Sequence, residues 1–257
     1  MTAAPRRALV RDVPDSFDAC LKNPAFAQRS IDVARARSQH AAYRAALAAA
    51  GLEVIALPAD PGHPDCCFVE DTALVADDLA VILPLGTPER VGEEGPVRDA
   101  LARFLAVREL TPPARIDGGD VLRLGRTLHV GLTARTNMEA CRQLREIVAP
   151  RGLEVAPVPV TGILHLKSAV TALPEGRLLV SPGHVPAGSF EGCGIVEIAP
   201  GEEYAANCLA VGQTVLFAAG HPHTATRLRG EGLKLVELEM SEFRLANGSL
   251  TCLSILL

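Results

Sequence analysis

With 257 residues the chain is long enough for one large buried core or two small ones. Thirty acidic residues against 25 lysines and arginines give a formal net charge of −5 with no basic block, which argues against a nucleic-acid footprint. Although 48% of the residues are hydrophobic, no apolar run reaches the roughly 18 residues of a membrane span. The opening Met1-Thr2-Ala3-Ala4-Pro5-Arg6-Arg7 lacks the long apolar stretch of a signal peptide, so a cytoplasmic protein is expected.

Ala8-Leu9-Val10 reads as a short first strand, and the polar stretch from Pro14 to Pro24 as a mobile loop. A helical pattern runs from Asp32, a good cap, to about Ala50, with Val33, Ala36, His40, Tyr43 and Leu47 on one face and Gly51 as its stop. Leu52 to Leu57 is a strand. Cys67 to Ala76 and Leu79 to Leu83 form a strand pair, and Pro96 to Ala106 reads as a helix. Asp117-Gly118-Gly119-Asp120 precedes a second pair, Val121 to Leu124 and Thr127 to Val130, followed by a helix from Thr136-Asn137 to Val148 and a strand from Leu153 to Val160. A third pair joins Ile163–Leu173 to Arg177–Val180, with a poor helix or loop at Pro186–Cys193 and a strand at Gly194–Ile198. The fourth pair opens at Ala205-Ala206-Asn207-Cys208 and closes on Thr214–Ala218; Arg227-Leu228-Arg229 belongs to a short helix and Lys234–Leu238 to a strand. A loop from Ser241 to Gly248 then delivers the terminal run Thr251-Cys252-Leu253-Ser254-Ile255-Leu256-Leu257.

These elements repeat. The pairs Glu70-Asp71, Gly119-Asp120, Lys167-Ser168, Asn207-Cys208 and Thr251-Cys252 stand at matching places, and their second members are 49, 48, 40 and 44 residues apart. The last unit stops after its first strand, which leaves the N-terminal strand to complete it. Residues 1–257 therefore read as a single domain of five ββαβ-like units, an α/β propeller closed around an axis. A doubly wound Rossmann-type sheet is the competing architecture, but no GxGxxG follows the first strand.

Closure would bring Asp65, Glu70, Asp71, Asp117, Asp120, His165 and Cys252 together at one end of the axis. Of the seven cysteines, Cys20, Cys66, Cys67, Cys141, Cys193 and Cys208 read as core or surface thiols, with no CxxC spacing for a zinc site. His221-Pro222-His223 has no partner ligand. Cys252 alone is either a small core side chain or a nucleophile. Many carboxylates around one thiol and one histidine suit a cationic, planar electrophile, because a guanidinium presents N–H donors that carboxylates accept in pairs. The residues thus permit attack on a guanidinium or amidinium carbon.

Seven blocks stand in order along the chain: Asp32-Val33-Ala34-Arg35-Ala36 with Gln39-His40, Pro64-Asp65-Cys66-Cys67-Phe68-Val69-Glu70-Asp71, Asp117-Gly118-Gly119-Asp120, Arg135-Thr136-Asn137, Leu164-His165-Leu166-Lys167-Ser168, Ala205-Ala206-Asn207-Cys208 and Leu250-Thr251-Cys252-Leu253-Ser254. Together they resemble the dimethylarginine dimethylaminohydrolase family of the guanidino-group-modifying (pentein) superfamily. The resemblance implies a five-bladed α/β propeller that turns methylated arginines into citrulline through a covalent cysteine adduct. It implies Cys252 as nucleophile, His165 as acid and base, and Asp117 as its partner. Asp71, with Glu70 and Asp65, would grip the guanidinium. Arg90 and Arg135 would hold the α-carboxylate, Ala246 the α-amino end, and Leu21 would lie in a lid at Pro14–Pro24. A deiminase acting on free arginine has the same catalytic set and stays open beside it, as does a propeller that only binds. A small-molecule substrate is expected, with no cofactor, metal, nucleic acid or membrane, and with a homodimer left open. The surrounding carboxylates should keep the free thiol protonated until a cation arrives.

Overall fold

The computed structural model of the protein describes residues 5–257. The part of the leader reading that falls on Met1-Thr2-Ala3-Ala4 lies outside the described residues.

One pairing rule repeats around the molecule. β1 (Arg7–Arg11) runs parallel to β2 (Glu53–Leu57) after crossing through α1 (Val33–Ala49). β3 (Ala73–Ala76) is antiparallel to β4 (Leu79–Ile82), which is parallel to β5 (Ala106–Glu109) beyond α2 (Glu94–Leu101). β6 (Val121–Leu124), β7 (Thr127–Leu132), α3 (Met138–Val148) and β8 (Glu154–Pro159) follow the same order. So do β9 (Val170–Ala172), β10 (Arg177–Val180) and β11 (Gly194–Glu197), with turns where the other units have a helix. β12 (Leu209–Val211), β13 (Thr214–Ala218), α4 (Pro222–Gly230) and β14 (Lys234–Leu238) make the next unit, and α5 (Ser241–Leu245) leads to β15 (Ile255–Leu256). β15 is antiparallel to β1, Ala8 facing Leu256 and Leu9 facing Ile255. Five three-stranded sheets result, each with one antiparallel and one parallel pair, and the chain's two ends share one of them. This is a five-bladed α/β propeller.

Local chemistry explains the helices. Asp32 accepts from Arg35 N and caps α1, and Gly51 ends it at φ +95. The buried face of α1 carries Ala36, Tyr43 and Leu47 onto Ala8 and Val10 of β1. Burying Leu47 contributes about 1.5–3 kcal/mol. The Tyr43 hydroxyl is 2.7 Å from Ser254 Oγ, which ties α1 to the segment just past Cys252. Asn137 caps α3 through Ala140 N, and α3 buries Ala140, Cys141, Leu144 and Val148 at helical spacing.

The structure departs from the sequence reading at the first strands of the units. Val69–Thr72, Gly118–Asp120, Leu166–Ser168, Glu203–Ala206 and Thr251–Leu253 are 3₁₀ turns, so β3, β9 and β15 start later than their apolar runs suggest. Most residues of these turns are buried or half-buried, but amides in them bond three residues back, as Ser168 N does to His165 O and Cys252 N to Ser249 O. Periodicity cannot separate a buried turn from a buried strand over so few residues. α2 begins at Glu94, with Pro96 in its first turn where its missing N–H costs nothing, and it stops at Leu101. Ser241–Leu245 is helical rather than a loop. The stretch from Pro14 to Pro24 contains a 3₁₀ turn, Asp15–Ala19, whose Phe17 is buried 5.9 Å from the Phe68 ring and 5.5 Å from that of Phe243. Among the described residues no helix is long and apolar enough to cross a membrane.

Candidate active site

The five turns hand hydrogen bonds to one another in a closed ring. Gly119 N donates to Asp71 Oδ1 at 3.0 Å, and Leu166 N to Asp120 Oδ1 at 2.9 Å. Asn207 Nδ2 donates to Lys167 O and to Thr251 Oγ1, while Thr251 N donates to Asn207 Oδ1. Thr251 Oγ1 closes the ring on Glu70 Oε2 at 2.7 Å. Buried polar groups must be paired, and charged pairs of this kind contribute about 1.5–3 kcal/mol each. The ring fixes where the turns' remaining side chains stand. Glycine is obligatory beside it: a Cβ on Gly118 would collide with Glu70 O, and one on Gly119 would lie 2.6 Å from His165 Nδ1.

His165 is 6% exposed, and its Nε2 is 2.9 Å from Asp117 Oδ2. Asp117 is fully buried. Its Oδ1 accepts from Gly86 N, and its Oδ2 also accepts from Arg135 Nη1 at 3.2 Å. Burial works against a charged imidazole, but Asp71 first, then the Asp117 hydrogen bond and Asp120, hold His165 up at about 9. Near neutral pH it is therefore an acid with a proton to give.

Asp71 is the opposite case. Burial opposes its charge, yet Arg90 and then His165 hold its carboxyl below the usual value. Arg90 Nη1 donates to Asp71 Oδ2 at 2.6 Å; Nε and Nη2 donate to Glu93, and Nη2 also to Phe68 O. Those bonds use four of the five guanidinium hydrogens, so Arg90 keeps one for any ligand. Burial, then Glu70 and Asp71, push the Cys252 thiol up to about 12. The free thiol is thus protonated.

A cleft of about 590 Å³ collects these groups: Cys252, His165, Asp71, Asp65, Arg90, Arg135, Leu21 and Ala246 all line it. Leu21 N donates to both oxygens of Asp65, at 3.3 and 3.1 Å, so Asp65 anchors the Pro14–Pro24 segment as well as facing the cleft. Burial raises the Asp65 carboxyl above its usual value. The Ala246 N–H is committed to Glu242 O, which leaves its carbonyl to accept from a ligand. Gly248 follows at the Asn247 turn (φ +59), packed so closely on the Phe68 ring that a Cβ would collide. Asp117 stands behind His165 without lining the cleft. Glu70 does not line it either; it is bonded to Lys167 Nζ at 2.7 Å and to Thr251. Asp71, Asp117 and His165 offer one ligand atom each within 4.8 Å of one another, but hydrogen bonds already engage all three side chains.

No family model matches the chain. It is 34% identical over 226 residues to N(G),N(G)-dimethylarginine dimethylaminohydrolase of Pseudomonas aeruginosa, covering 87% of this chain and 89% of that one. The enzyme of the same name from Streptomyces coelicolor is 37% identical over 230 residues, 89% of this chain and 88% of its own. The chain belongs to the dimethylarginine dimethylaminohydrolase family. The crystal structure of a cysteine-to-serine mutant of the Pseudomonas aeruginosa family member, complexed with citrulline, superposes with a TM-score of 0.95 at 30% identity, covering 99% of this chain and 100% of that one.

Some residues of this family member's site escaped sequence reasoning. Lys167 joins Glu70 to Gly118 O, and Asn207 and Thr251 carry the ring across the last two units. The signal for all three was their place in the repeated anchor pairs. Asp120 accepts from Leu166 N and from the hydroxyls of Thr133 and Thr136. Those threonines flank Arg135, so a single carboxylate sets both the 3₁₀ turn that follows His165 and the turn that carries Arg135.

Proposed function

We propose that the protein hydrolyses asymmetric dimethylarginine and monomethylarginine to L-citrulline, releasing dimethylamine or methylamine. One observation carries this reading beyond family membership: a protonated thiol and a protonated imidazole share a cleft with carboxylates held ready for a cation. Asp71 grips the substrate guanidinium, with Asp65 beside it. The arriving cation lowers the thiol pKa, the thiol proton leaves to solvent, and the Cys252 sulfur adds to the guanidinium carbon. His165, held by Asp117, gives its proton to the alkylated nitrogen as the C–N bond breaks, leaving an S-alkylthiouronium. Water then adds to the same carbon and one of its protons passes to His165; as the C–S bond breaks, its electron pair returns to sulfur and the remaining hydroxyl proton of the adduct is released to solvent, leaving the citrulline carbonyl. Arg135, with the last hydrogen of Arg90, holds the α-carboxylate, and the Ala246 carbonyl takes the α-amino group.

The chain acts as a single catalytic domain over residues 1–257. A cytoplasmic location and a homodimer complete the reading; fractionation of the source cells and light scattering on the purified protein test them. The decisive assay offers arginine, monomethylarginine and asymmetric dimethylarginine and measures citrulline. Turnover of the methylated substrates with little from arginine is expected. Equal or better release of ammonia from arginine would make the protein a deiminase instead.

A further inference from the structure

A second cavity, of about 310 Å³, meets the first at its reacting end. Cys252, His165, Asn247 and Gly248 line both, so the thiol and the imidazole are reached from two sides. Asn23 closes the lid onto the loop between them: its N–H donates to Leu245 O at 2.9 Å and its Nδ2 to Asn247 Oδ1 at 3.2 Å. From there the second cavity passes Phe26 and Tyr204 and reaches the exposed residues Ala25, Glu203 and Arg244. The Arg244 guanidinium lies 5.1 Å from the Tyr204 ring and 5.9 Å from the Phe26 ring, so two aromatic faces stand at this mouth beside the polar groups that line the rest of it.

The chemistry needs an exchange at this place. His165 protonates the departing nitrogen in the first step and takes a proton from water in the second, so the water must occupy the position that the amine has left. The swap happens while the thiouronium is still bonded to Cys252 and its amino-acid end still occupies the first cavity. The amine leaves as a neutral, methyl-bearing molecule, for which aromatic faces are a suitable path. We infer that the second cavity is the port through which the released alkylamine leaves and the hydrolytic water enters. This rests on the methylarginine reading above.

The port can be narrowed without touching the chemistry. Ala25→Trp and Glu203→Trp place bulk at exposed rim positions on two different segments, while Ala27→Trp does so at a residue that lines only the first cavity. Amine and citrulline are followed through the first turnover, and acid-quenched enzyme is weighed by intact-protein mass spectrometry. In both rim variants kcat for dimethylarginine should fall about tenfold and KM should fall with it, leaving kcat/KM nearly unchanged, the pattern of a hindered step after the adduct has formed. The loss should shrink from dimethyl- to monomethylarginine to arginine, and the covalent adduct should accumulate. Ala27→Trp should raise KM and leave adduct levels at those of the parent. Parental kcat in both rim variants for all three substrates overturns the port, and so does a loss confined to KM. A parent enzyme that makes no citrulline from methylated arginine overturns both the port and the reading beneath it.

Discussion

The turns Val69–Thr72 and Thr251–Leu253 occupy matching places in two blades, yet they hold their key side chains in opposite states. Asp71 is buried and ionised because Arg90 and the Gly119 amide donate to it and the His165 charge lies close by. Cys252 is protonated because burial, Glu70 and Asp71 make a second anion there costly. One backbone slot therefore supports either charge state, and the neighbours decide which. The pairing also leaves the cleft short of a mobile cation, which is what a guanidinium supplies. In the proposed mechanism, substrate binding and thiol activation become the same event.

The largest expected effect removes one side of this contrast. Cys252→Ser should cut citrulline formation by about 10³-fold or more, since a nucleophile acting with its partners is not replaced by them. The melting temperature should stay close to that of the parent, because the ring bonds of Thr251 use its own backbone and hydroxyl. Unchanged turnover would end the mechanism. Asp71→Asn removes the other side. It takes one of two carboxylates from the buried Arg90 guanidinium, which keeps Glu93, so the cost in urea denaturation should be about 1–3 kcal/mol, and turnover should drop by about 10²-fold or more. Full activity in this variant would mean that Asp65 alone can hold the substrate.

How much of this was readable beforehand differs between backbone and side chains. The blade order was legible because paired apolar runs recur every 40 to 49 residues, and the unfinished last unit pointed to the pairing now seen between β15 and β1. The 3₁₀ turns were not, since a buried turn and a buried strand look alike over three or four residues. The convergence of Asp71, His165 and Cys252 followed from matching anchors and family blocks. That Glu70 faces Lys167, 97 residues away, while Arg90 spends most of its donors on Asp71 and Glu93, depends on distances no spacing encodes.

The contrast also predicts a pH dependence. Asp71 is the main charge holding the His165 proton, and it raises the folded-state value to about 9 against 6.5 for the free side chain. A raised value contributes stability that is complete below pH 6.5 and is lost as pH climbs through 9. At about 1.4 kcal/mol per unit, the stability difference between the parent and His165→Gln should shrink by about 3 kcal/mol across that window. In the proposed mechanism the same proton serves the leaving group, so kcat, which reads the complex in which the cation has already ionised the thiol, should fall on the alkaline side. Denaturation curves and rate profiles over this range check both, and a flat stability difference would show that the carboxylates do not hold the proton.

The smallest expected effect sharpens the comparison most, because it changes one neighbour of Cys252 and leaves the slot intact. Glu70→Gln keeps the shape but removes the leading charge that pushes the thiol up. Lys167 retains Gly118 O as an acceptor, whereas the Thr251 hydroxyl, which already accepts from Asn207 Nδ2, loses a carboxylate to donate to. The cost should be about 1–3 kcal/mol of stability and less than about tenfold in kcat. The thiol titration, followed by thiolate absorbance, should shift to lower pH, and labelling of Cys252 by a haloacetamidine should speed up at fixed pH. An unmoved titration would assign the protonated state to burial alone, and Glu70 would then matter only as a link in the ring.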